Sequence, residues 1–102
     1  MPAVFQASAS FALPPRRWFV VCGDIVSGVI KKDMVMRLRG GSPATPLLTI
    51  AAVEIVTKEK GGSQVGICVP YGSVDELSRL QSLNVDGKII DISEPESDEN
   101  QG

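Results

Sequence analysis

Histidine is absent from this chain of 102 residues. The commonest general base and the commonest metal ligand go with it. Cysteine is scarce. Cys22 and Cys68 stand far apart, each in an apolar run, and a zinc site needs more ligands at closer spacing. A disulfide is allowed by count alone, but free cysteine is among the most buried residue types, so two buried free thiols are the expectation. No apolar run reaches the length of a membrane span. The start, MPAVFQASAS, lacks the basic opening and long apolar core of a signal peptide, so a cytoplasmic protein is expected. No G-x-x-x-x-G-K-[ST] loop exists to cradle phosphates, and no serine has a base to activate it. A nucleotide, a cofactor and catalysis are therefore not expected.

Charge of one sign is also lacking. The formal net charge is -2. Of twelve acids, Glu94, Glu96, Asp98 and Glu99 lie in the last stretch, leaving eight against ten bases in the body. Neither balance demands a polyanion partner. The length suits one domain with a modest core. We expect a single β-barrel domain over residues 1–93 and a disordered acidic tail over 94–102.

What the chain does have is β-pattern and turn chemistry. Along Val4 to Leu13, Phe5, Ala7, Ala9 and Phe11 alternate with Gln6, Ser8 and Ser10, the period of a half-buried strand. Pro14-Pro15 stops it. Trp18 to Leu38 reads as the central ribbon, on which the rest of the chain is organised. Phe19, Val20 and Val21 are apolar on both faces, as in a central strand. Gly23 suggests a bulge or sharp bend, Ser27-Gly28 a tight turn with Val29-Ile30 beginning the return, and Lys31-Lys32-Asp33 a second break before a strand from Met34 to Leu38. Arg39 to Pro46 is a loop by composition. Leu47 to Val56 reads as one strand, Thr57 to Ser63 as a hairpin loop, and Gln64 to Val69 as a strand ended by Pro70. Ser73-x-x-Glu76 is a capping-box pattern that predicts a single helical turn. Asp86-Gly87 is a turn and Lys88 to Ile92 the closing strand. The sum is an all-β fold: a small, closed, six-stranded antiparallel Greek-key-like barrel with one short helical turn.

The order of these pieces resembles the second, β-barrel domain of translational GTPases such as elongation factor Tu. The stretch carrying the resemblance is Val20-Val21-Cys22-Gly23-Asp24-Ile25-Val26-Ser27-Gly28-Val29-Ile30-Lys31. Leu48 to Glu54 is similar to the family's threonine-apolar-x-x-apolar-glutamate strand, Gly61 to Ile67 to its later glycine element, and Leu77 to Ile90, more loosely, to its ending. Arg16 and Trp18 stand where that family has small glycine turns, and its Gly-Asp turn is here Lys32-Asp33. The resemblance implies a stand-alone binding module, with RNA or a protein as partner.

Candidate contact residues follow. Arg16, Arg17 and Trp18 set a basic pair beside a ring, the chemistry of phosphate contact and base stacking. Lys31, Lys32, Arg37 and Arg39 would extend that patch if the ribbon put them on one side; alternation places Arg37 and Arg39 on one face. Tyr71, between Pro70 and Gly72, is a candidate aromatic anchor. Each has a plainer reading as a solvated turn, a core ring or a solvent-facing charge. Asp24 and Asp33 read as residues at turns or a bulge, where aspartate bonds its own backbone. An alternative role is a structural subunit or adaptor that forms a homo-oligomer.

Overall fold

The computed structural model describes residues 2–39, 47–57 and 61–95. It is mostly antiparallel β, with one helix. The strands are β1 (Ala3–Leu13), β2 (Trp18–Ser27), β3 (Val35–Leu38), β4 (Leu48–Thr49), β5 (Ala52–Thr57), β6 (Ser63–Pro70) and β7 (Ile89–Ser93). The helix α1 spans Val74–Ser82, and a single 3-10 turn, Pro14–Arg16, joins β1 to β2. One sheet holds all seven strands, in the order β4-β3-β7-β1-β2-β6-β5.

The expected closed, six-stranded Greek-key-like barrel is corrected to a curled half-barrel of seven strands. The extra strand arises within Leu47 to Val56, whose pattern reads as one continuous strand. It breaks at Ile50 and Ala51, so that β4 forms one edge of the sheet and β5 the other. The Ile50 N–H donates to the Met34 carbonyl (2.9 Å), while the Ala51 N–H donates to the Cys68 carbonyl (2.7 Å). Two adjacent residues thus bond to opposite ends of the sheet. The chain itself ties the curl together at this point, yet β4 and β5 do not pair with each other.

The central ribbon is corrected as well. β2 ends at Ser27 and pairs with β1 and β6, not with the segment that follows it. Gly28 has φ +84°, and a Cβ there would lie 2.7 Å from Ala3 Cα and from the Pro2 carbonyl oxygen. The backbone therefore crosses tightly over the start of β1, where a side chain would block it. It continues past β7 and enters the sheet as β3, beside β7. Asp33 takes the left-handed conformation (φ 74°), and its N–H donates to Ile50 O at 2.8 Å. Asp33 thus stands at a turn, as read from the sequence, whereas Asp24 lies within β2, opposite Gln6.

β2 does lie inside the sheet, as its doubly apolar pattern implies. The bend at Gly23 is present too. In the β1–β2 ladder Ala7 opposes Gly23 and Ala9 opposes Cys22, so Ser8 is the extra residue. The Ser8 hydroxyl donates to the Cys22 carbonyl (3.2 Å) and accepts from Gln64 Nε2 (3.0 Å), so the bulge residue is bonded to both β2 and β6. This bulge corrects the simple alternation along β1. Ala3, Phe5 and Ala7 are buried in the core, whereas Phe11 lies beyond the bulge and turns to the outer face, 43% exposed. An inserted residue shifts a period-two pattern by one, and every later side chain changes face.

The core fills the concave side. Phe5, Phe19, Val21, Met36, Ile50, Ile67, Ile90 and Ile92 are its largest buried members. Leu77 and Leu80 of α1, and Leu83 just after it, pack against it. The expected single turn is corrected to a helix of nine residues. The Ser73 hydroxyl accepts from the Glu76 N–H at 3.2 Å, and the Glu76 carboxylate accepts from the Gly72 N–H. A cap of this kind contributes about 1 kcal/mol. Asn84, with φ 58°, ends the helix.

The Arg39–Pro46 loop beyond Arg39, the middle of the Thr57–Ser63 loop and all but Glu94 and Pro95 of the tail lie outside the described residues.

Candidate functional site

The outer face of the sheet carries a second, smaller apolar cluster. Val20, Cys22 and Cys68 are buried there, with Leu13, Trp18, Ala52 and Val56 packed around them. Three local causes put them together. The Ser8 bulge turns Phe11 outward; the antiparallel pairing sets Val20 opposite Cys68; and Ala52 opposes Cys68 from β5. Gly66 lies among them, where a Cβ would meet Val56 Cγ2 at 2.8 Å and Val20 Cγ1 at 3.2 Å. The missing side chain lets two valines meet across it.

The result is a groove of about 230 Å³ lined by Phe11, Leu13, Trp18, Val20, Val56 and Cys68, with Arg16 and Glu54 at its margins. The Arg16 guanidinium stacks over the Trp18 ring, 5.1 Å from its centroid. An exposed cation–π pair of this type is worth about 0.5–1 kcal/mol. It holds a positive charge at the lip of an apolar surface.

Both thiols are buried and unpaired with each other. Burial raises the Cys68 pKa to about 11, with the negative charge of Glu54 adding to it and Arg16 opposing. Cys22 is raised by burial. At neutral pH both are thiols, which are poor nucleophiles and poor metal ligands.

The predicted contact residues do not gather into one patch. Arg16 and Trp18 come together. Arg17 is exposed beside them in the left-handed conformation (φ 55°), and its carbonyl accepts from the Tyr71 N–H at 2.9 Å. Tyr71 itself is half-buried against the main core rather than freely exposed. Lys31 and Lys32 sit on the crossover between β2 and β3, exposed. Arg37 and Arg39 are exposed on β3 and its end, across β7 and β1 from β2. Arg39 bonds Ile89 through its backbone, at the level of Gln6. Arg16 follows Leu13, so roughly 20 Å of strand separates the two levels.

Arg39 is also engaged. Its Nη2 lies 2.5 Å from Asp91 Oδ1 and its Nε lies 3.1 Å from Asp91 Oδ2, a two-pronged pair. The hydrogen bond from Arg39 holds the Asp91 pKa below its ordinary value. A carboxylate with a depressed folded-state pKa contributes stability above its unfolded value and loses it as pH falls through the folded one. Asp91→Asn is therefore expected to flatten a shallow acid-side loss of stability, read as thermal midpoint against pH below the ordinary carboxylate value of 3.8. Both side chains are about half exposed, so the effect at neutral pH is small and weakens with salt.

Sequence reasoning missed Phe11, Leu13, Val20, Glu54, Val56 and Cys68 as groove residues. The signal was indirect: a glycine in β2 opposite a serine-rich stretch of β1, which together mark a bulge. Among the described residues, no polar or charged side chain is buried, and no group of three or more histidine, cysteine, aspartate or glutamate residues is placed to hold a metal. No described helix is long and apolar enough to cross a membrane. Neither a protein-family model, nor a curated protein, nor a solved structure matches this chain.

Proposed function

We propose that the chain is a non-catalytic binding module whose outer sheet face receives a protein partner. One observation carries this reading: the apolar groove between Phe11, Trp18, Val20 and Val56, with the Arg16–Trp18 stack at its lip. Aromatic and arginine side chains beside a desolvated pocket are the residue types that anchor protein interfaces. The division of the basic residues between the Arg16 end and the β3–β7 face favours a protein over a polyanion, which needs a continuous basic footprint. The absence of histidine supports a binding role over catalysis.

The test is a tagged pull-down from native lysate treated with RNase, comparing wild type with Phe11→Glu. Phe11 is partly exposed at the groove wall, so the substitution adds charge to the surface without opening the core. A protein retained by wild type through RNase treatment and lost with Phe11→Glu is the expected result. Partners that vanish with RNase, or that ignore Phe11→Glu, would overturn the groove assignment.

RNA is the second reading, favoured by the guanidinium stacked on a ring and by the likeness of Val20–Lys31 to the barrel domain of translational GTPases. Trp18 is the single tryptophan, so its fluorescence reports directly on this surface. In the RNA reading, a single-stranded oligonucleotide quenches it, and Arg16→Glu/Arg17→Glu reduces both the affinity and its salt slope.

A further inference from the structure

A second surface, the free edge of β5, adjoins the groove through Glu54 and Val56. The sheet has two edges of unequal exposure to pairing. β4 is two residues long and presents almost no row of free backbone groups. β5 is six residues long, and its register with β6 runs without interruption from Ala52 opposite Cys68 to Thr57 opposite Ser63. Its other side pairs with no described strand. Proteins commonly guard such an edge with lysine, proline, a bulge or brevity. AVEIVT has no proline, no glycine and no bulge, and Glu54 is its only charge.

The side chains of β5 say where a further strand would lie. Val53 and Ile55 oppose Ile67 and Val65, both of which face the main core. Ile55 is thus on the concave, core-forming side, yet it is 70% exposed. An isoleucine aimed toward the core side and left in water lies where the half-barrel stops short of closure. An added strand would cover it.

We propose that β5 pairs with β5 of a second copy of this chain, antiparallel about a two-fold axis. Such pairing must keep the core face of one copy continuous with the core face of the other, so the axis passes through a residue rather than between two. Two registers pair the longest stretches. One is centred on Glu54 and pairs Ala52–Val56; it sets two carboxylates directly opposite each other, which is unfavourable. The other is centred on Ile55 and pairs Val53–Thr57. It stacks Ile55 on Ile55 of the second copy, places Glu54 opposite Val56 and Val53 opposite Thr57, and removes both exposed isoleucines from water. The Ile55-centred register is the assignment. The small net charge offers little self-repulsion against it. One strand pair alone falls short of the roughly 800 Å² per partner of a standard interface. The dimer is accordingly a concentration-dependent one.

The experiment is sedimentation velocity of the full chain from micromolar to near-millimolar concentration, with oxidative crosslinking of single-cysteine additions. Wild type is expected to show a monomer–dimer equilibrium, and Ile55→Lys to raise its dissociation constant about tenfold or more, since it sets like charges opposite each other and removes the apolar contact. Ile55 is exposed, so an unchanged circular dichroism spectrum and thermal midpoint in dilute solution will show that Ile55→Lys still folds. Directly opposed antiparallel residues lie within disulfide reach. Ile55→Cys is therefore expected to form a crosslinked dimer with diamide while Val53→Cys does not, the native thiols being buried. A wild type that stays monomeric throughout overturns the proposal. So does a dimer indifferent to Ile55→Lys, or crosslinking of Val53→Cys equal to that of Ile55→Cys.

Discussion

Gly23→Ala is expected to destabilise the fold by about 3 kcal/mol or more, the upper range for forcing atoms into a filled space. A Cβ built on Gly23 lies 2.0 Å from the Gln6 carbonyl oxygen, 2.9 Å from its carbon and 3.0 Å from Ala7 Cα. These are backbone atoms of β1, so no side-chain rotation relieves the clash. Either β1 moves away from β2 or the Ser8 bulge rearranges. Both strands are interior to the sheet, and a shift between them disturbs the core and the outer groove together. Urea denaturation followed by far-ultraviolet circular dichroism measures the loss. A decrease below about 1 kcal/mol would mean that β1 and β2 do not approach as described. Ser8→Gly is the companion variant. It keeps the bulge, removes the hydroxyl's bonds with the Cys22 carbonyl and Gln64 Nε2, and is expected to cost no more than two ordinary hydrogen bonds, about 2 kcal/mol.

Phe5→Ala is the second large effect, and its contrast with Phe11→Ala tests the bulge directly. Phe5 is fully buried, on a strand flanked by β2 and β7, opposite Ile25 and Ile90. Truncating a buried phenylalanine leaves a cavity and costs about 3–5 kcal/mol. A domain of this size has about 5–15 kcal/mol in all, so the variant is expected to be partly unfolded at room temperature in mild denaturant. Phe11 sits six residues further along the same strand, and period two alone gives it the same face as Phe5. The bulge puts it outside, where Phe11→Ala should cost about 1 kcal/mol or less. Equal losses for the two variants would contradict the change of face at Ser8.

The same pair of residues shows why part of the fold was legible and part was not. Strand positions follow from local chemistry. Alternation, β-branched residues, Pro14-Pro15 and the capping pattern at Ser73 all act within a few residues, and each marks an element that is present. Face assignment along β1 failed beyond Ser8 because a bulge is a property of two strands. It depends on Gly23 of β2 lying opposite Ala7 and close against the Gln6 carbonyl of β1. The Leu47–Val56 segment failed for a related reason. Nothing in LLTIAAVEIV forbids a continuous strand. Its break comes from competing bonds, with Ile50 held by Met34 and Ala51 by Cys68. The sequence pattern predicts only one helical turn because Ser73, Leu77 and Leu80 define its first turns, while Leu83 gains its value only from the core it touches.

The candidate site divides in the same way. Arg16 and Trp18 are near neighbours joined by a tight turn, and their association needed no tertiary information. The separation of Arg37 and Arg39 from them could not be read, because it rests on strand order: β7 and β1 intervene. The pairing of Arg39 with Asp91 joins residues that are distant in sequence and adjacent only through the β3–β7 ladder.

By itself, then, the sequence determined that the chain is β-rich, where most strands begin and end, that a glycine must bend β2, and that histidine-based chemistry is unavailable. Those outcomes depend on backbone preferences and on side-chain inventory, both of which act locally. Tertiary structure alone decided the strand order, the curled half-barrel in place of a closed one, the outer groove and the open β5 edge. Each of these turns on which distant backbone groups find each other, and a period-two pattern fits equally well against more than one neighbour.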